Sequence, residues 1–107
     1  MIHEGTFTVE VERTGEILRV SLAGELDIAV EQELVARVRE AIAETDARSV
    51  VLDVATVSFI DSSGLRALLM CRDAAQARGL ALVLAVPDGP VRRLLDVAGV
   101  AAWFDYE

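Results

Sequence analysis

Apolar and polar residues alternate from Thr6 to Glu12, which predicts a strand with Phe7, Val9 and Val11 on one face. Arg13-Thr14-Gly15-Glu16 is a turn, and Ile17 to Ala23 returns as a second strand, so the pair reads as a hairpin. Gly24-Glu25-Leu26-Asp27 breaks the pattern, and Asp27 is the expected N-cap of a first helix. In that helix Val30, Leu34, Val38, Ala41 and Ile42 form the apolar stripe, with Glu31, Gln32, Arg37, Arg39 and Glu40 on the wet side. A third strand, Val50 to Val54, lies in the run Ser49–Ile60 that leads into Asp61-Ser62-Ser63-Gly64. A second helix then runs to about Arg78, turning Leu65, Leu68, Leu69 and Ala75 inward, with Gly79 at its C-terminal stop. Leu80 to Val86 is apolar throughout, as expected of a parallel strand buried on both faces. Pro90 opens a third helix whose Val91, Leu94, Leu95 and Ala98 keep helical spacing, and Gly99 ends it. Val100 to Phe104 reads as a short last strand.

The order β-β-α-β-α-β-α, with a final β, is that of an α/β domain. Its mixed sheet has four to five strands, an antiparallel hairpin followed by parallel strands, and about three helices. Strands two, three and four adding successively on one side would place both crossover helices on one face. The pattern does not say what covers the other.

The length of 107 residues fits one domain, residues 1–107. A hydrophobic fraction of 53% supplies a core, and an aromatic fraction of 5% makes that core aliphatic. The net charge of −8 disfavours nucleic acid and anionic membranes and suits a basic protein partner. Leu80–Val86, the longest apolar stretch, is too short for membrane insertion. Cys71 is the only cysteine and no charged-then-apolar leader is seen, so a cytoplasmic location is expected. One Cys and one His cannot close a zinc site, and neither a calcium-loop spacing nor a Walker loop is present, so no metal and no cofactor is expected.

The chemistry concentrates at Asp61-Ser62-Ser63-Gly64, where a strand turns into a helix and two hydroxyls meet the positive end of a helix dipole. Three readings stand side by side. The residues can simply cap the helix, a role worth about 1 kcal/mol. A nucleophilic serine needs a positioned base, yet His3 is the only histidine, Lys is absent, and Gly-x-Ser-x-Gly is missing, so no enzyme is expected. A phosphoacceptor serine needs no catalytic machinery of its own, because the added charge acts on whatever docks over it. Asp53 either points from a strand end into solvent or orients the junction. Glu25 and Asp27 end a neighbouring strand and can gather at the same sheet edge.

Three stretches in order carry a resemblance. Leu22-Ala23-Gly24-Glu25-Leu26-Asp27, Val50 to Leu69, and Pro90 to Val100 resemble the STAS domain (sulfate transporter and anti-sigma-factor antagonist), in particular the free-standing bacterial anti-sigma-factor antagonists. The resemblance implies a protein that, unphosphorylated, binds an anti-sigma factor that is also a serine kinase of the GHKL type, freeing the sigma factor for transcription. Phosphorylation releases it and a PP2C-type phosphatase resets it. The family's phosphoserine falls on Ser62, with Ser63 the second candidate. Asp27 matches the aspartate near it, and Glu25, Asp61, Ser63, Gly64, Leu65 and Arg66 complete its surroundings and the partner surface. Many members have glycine where this chain has Arg66, whose side chain is expected to be solvated, with contact to a phosphate or to a partner's acid as the alternatives. The alternative is a non-switching STAS subunit of a lipid-transport or signalling scaffold complex.

Overall fold

The computed structural model describes residues 7–107. Thr6, expected in the first strand, and His3 lie outside the described residues. Strands β1 (Phe7–Thr14) and β2 (Ile17–Leu26) form the expected antiparallel hairpin. Helix α1 (Glu31–Glu44), β3 (Ser49–Ile60), α2 (Ser62–Ala77), β4 (Ala81–Ala85), α3 (Pro90–Ala98) and β5 (Asp105–Tyr106) follow. The sheet order is β1-β2-β3-β4-β5, parallel from β2 onward. Each parallel strand thus adds beside the last, and α1 and α2 pack against each other over one face.

Alternation along the strands sorts the residues onto that face. Val20, Leu22, Leu52 and Leu84 are fully buried against Leu34 and Val38 of α1 and Leu68 of α2, and α3 adds Val91 and Leu95 to the same core. The intervening positions form a face of mixed character, where Val51 and Val83 lie beside Arg19, which joins Asp53 at 2.8 Å and Glu107 at 3.2 Å. Asp53 is therefore neither at a strand end nor at the junction. It sits mid-strand, and its Oδ1 also accepts from the Ala55 amide at 2.9 Å.

Five expectations need correction. β2 does not stop at Ala23, nor β3 at Val54; both continue because two bulges, opposite Ser21/Ala23 and Gly24/Glu25, absorb the broken alternation. Gly24 adopts φ +97°, a backbone conformation that favours glycine. β4 is buried on one face only: Leu82 and Leu84 are inside while Ala81 is exposed. Val100 to Phe104 is not a strand, since Ala101–Trp103 forms a single 3-10 turn and pairing begins at Asp105. Ala98, placed on the apolar stripe of α3, is exposed beside the helix-ending Gly99.

Candidate functional site

The extensions of β2 and β3 bring their C-terminal ends side by side, with Leu26 opposite Ile60. The chain then turns straight into α2. Asp61 is the N-cap, and its Oδ1 accepts from the amides of Ser63 at 2.9 Å and Gly64 at 3.1 Å. Its own amide donates to the Leu26 carbonyl at 3.3 Å. Gly64 explains why this approach is possible: a Cβ there would lie 2.3 Å from the Leu26 oxygen and 2.8 Å from Ile60 Cγ1. The first turn of α2 is thus clamped to the end of β2, with Leu65 buried behind it.

On this platform Ser62 is the first helical residue and is exposed, whereas Ser63 is half-buried. The Asp61 carboxylate already takes two amides of the helix start. A second anion would not find those donors free.

Asp27 follows Leu26 directly and so lies beside the clamp. It is not the N-cap of α1, as expected from sequence. Val30 occupies that position, and Asp27 Oδ1 instead accepts from the Ala29 amide at 3.0 Å while its carbonyl accepts from the Val30 amide at 3.2 Å. It builds the turn that precedes the helix. Glu25 stands opposite Phe59 in the β2–β3 register. Two large apolar side chains that sequence reasoning missed are open here, Ile28 at 72% exposure and Phe59 at 47%. A bulge turns Phe59 outward, which its place in an apolar run conceals.

Arg66 is also not simply solvated. Its Nε donates to Glu31 Oε2 at 2.6 Å and its Nη2 to Oε1 at 2.9 Å, a forked pair joining the start of α1 to α2 one turn after Ser62. The Glu31 side chain, assigned to the wet side, is 14% exposed. The hydrogen bond from Arg66 holds the Glu31 carboxyl below its ordinary value, and Glu31 in turn raises the guanidinium. Glu31 and Arg66 are 35 residues apart, so no local sequence pattern announces the pair.

Chemically, the arrangement presents an exposed serine on a fixed turn next to the Asp61 cap, with the exposed Ile28 and Phe59 near the adjoining strand ends. Among the described residues no group of three or more His, Cys, Asp or Glu side chains could hold a metal ion, and no helix is long and apolar enough to cross a membrane. Cys71 is buried in the core, and desolvation pushes its thiol up to about 12.

Comparison with known proteins places this geometry. The model of the STAS domain matches residues 8–107. A protein of Paenibacillus polymyxa named anti-sigma F factor antagonist is 32% identical over 92 residues, which span 86% of this chain and 79% of that one. The fold is shared with an anti-sigma factor antagonist from Mycobacterium paratuberculosis (TM-score 0.77, 23% identity, 99% of this chain and 90% of that one). It is shared too with the Bacillus cell fate determinant SpoIIAA in its phosphorylated form (TM-score 0.67, 24% identity, 94% and 91%).

Proposed function

The chain belongs to the STAS domain family, and on that premise we propose that it is an anti-sigma-factor antagonist switched by phosphorylation of Ser62. The unphosphorylated form docks on an anti-sigma factor and frees the sigma factor, in the cytoplasm. That anti-sigma factor is also a serine kinase of the GHKL type. It moves the terminal phosphoryl group of ATP onto Ser62 Oγ, with ADP leaving and the hydroxyl proton passing to the kinase. A PP2C-type phosphatase hydrolyses the ester and resets the switch. The Bacillus relative of the same fold, described in a phosphorylated form, is in keeping with this reading.

The observation that carries it is the exposed Ser62 hydroxyl on a turn immobilised by Asp61 and Gly64. A phosphate adds roughly −1.5 to −2 charges at neutral pH. Added to an exposed residue whose side chain takes no part in the cap, it leaves the fold standing and changes the surface that a partner must cover. Ile28 and Phe59 supply apolar contact area beside it.

The test is binding of two variants to the cognate kinase by titration calorimetry. Ser62→Ala should bind and stay bound. Ser62→Asp should bind at least about tenfold more weakly, a loss of about 1.4 kcal/mol. Phosphate incorporation should vanish in Ser62→Ala and persist in Ser63→Ala. Equal affinities of Ser62→Ala and Ser62→Asp would remove the switch.

A further inference from the structure

We propose that Arg66, held in place by Glu31, is the cation that receives the phosphate on Ser62. The inference rests on the reading that Ser62 is the modified residue, and it assigns what the modification meets within this chain. Ser62 and Arg66 stand four residues apart on α2, so their side chains share one helix face, about one turn apart. Ser62 is exposed and the Arg66 side chain is 62% exposed, so an ester on the hydroxyl and the guanidinium meet without displacing core residues.

The helix start offers the phosphate little else, because Asp61 occupies the Ser63 and Gly64 amides and carries the same sign of charge. Arg66 has donors to spare. The guanidinium bears five N–H groups in a planar fork. Glu31 takes one from Nε and one from Nη2. Three remain for a second anion, and an arginine bridging two anions uses its planar geometry on both edges. Glu31 restricts the guanidinium before the phosphate arrives, so less side-chain freedom is lost when the second contact forms. Glu31 is thus a positioning residue, anchored on a different helix. Its nearly covered carboxylate keeps the arginine at the α1–α2 seam rather than free in solvent.

The test uses the full chain with phosphoserine installed at position 62 during synthesis, so that no kinase is needed. The phosphorus NMR shift is followed through the second ionisation of the ester, which lies near about 6 in the absence of partners. With Arg66 alongside, the midpoint should lie about half a unit lower than in Arg66→Gln, the size expected of an exposed ion pair. Arg66→Lys, which keeps the charge without the fork, should fall between the two. Circular dichroism of each variant checks that the fold is kept. Parent and Arg66→Gln titrating at the same midpoint would overturn the assignment. A cognate kinase that leaves Ser62 unmodified would instead defeat the switch reading while leaving this titration readable.

Discussion

Gly64→Ala tests the clamp beneath Ser62, and its sign alone is decisive. Helix propensity favours alanine over glycine by up to about 1 kcal/mol, so an isolated helix would gain. In the folded chain the added Cβ would sit 2.3 Å from the Leu26 carbonyl oxygen, 2.8 Å from Ile60 Cγ1 and 2.9 Å from Leu26 Cβ. The closest of these is a backbone carbonyl at the C-terminal end of the β2–β3 pair, already accepting from the Asp61 amide, so it cannot rotate aside. Overpacking of this kind costs about 1–3 kcal/mol. Separating the helix start from β2 also stretches the bond from the Asp61 amide to Leu26, worth about 1 kcal/mol. After the propensity gain the net loss is about 2 kcal/mol, or on the order of 10 °C in Tm for a chain of this size. Urea unfolding followed by circular dichroism, with an unchanged m-value, is the measurement. A variant as stable as the parent, or more so, would show that α2 does not depend on close approach to Leu26.

Asp61→Ala should lose about 1 kcal/mol of stability in the same assay, because two amides lose their acceptor, while Asp61→Asn should keep most of it. Glu31 has its carboxyl depressed from the ordinary 4.5 by Arg66, so its contribution is full above that value and is lost as the pH falls through the folded-state value. Glu31→Gln should therefore be the less stable protein at neutral pH, with the gap closing on acidification below 4.5; a gap independent of pH would contradict the pairing. Cys71, buried and with its thiol pushed up to about 12, should resist alkylation at pH near 8 until the chain is unfolded, as mass measurement after iodoacetamide treatment would read.

The element order and the parallel arrangement were legible because each rests on periodicity over a long window. The stripes of α1 and α2 point inward much as their spacing requires, and Gly79 and Gly99 adopt the left-handed conformation expected at helix ends. Legibility failed where two chain segments meet. Gly24 looked like the end of a strand because alternation breaks there, but the partner strand β3 bulges opposite it, and the pairing continues. Asp27 looked like an N-cap because Asp before an apolar stripe usually is one, but the helix begins later, at Glu31. Asp53 and Arg19 are 34 residues apart, and Glu31 and Arg66 are 35 apart, so local spacing carries no trace of either ion pair. The junction itself was readable, since its cap, its hydroxyl and its glycine are contiguous. The reason for the glycine was not, because the clash it avoids is with Leu26.

These contacts explain how a charge can be added at Ser62 without disturbing what lies under it. Among the described residues, the hydrogen bonds that fix the turn run through the Asp61 carboxylate and the main chain of Leu26, Asp61, Ser63, Gly64 and Leu65. The Ser62 hydroxyl takes part in none of them. On the reading proposed above, a dianion there meets solvent and Arg66, so the free protein loses little stability. Beneath a docked partner a dianion on Ser62 would have to shed its water, and burying a dianion that a single arginine only partly neutralises costs several kcal/mol. Since each 1.4 kcal/mol is tenfold in affinity, almost the whole effect of the modification falls on the complex and not on the fold. The proposed switch can therefore be charged and discharged repeatedly while its scaffold stays the same, because the cap is supplied by Asp61 and not by Ser62.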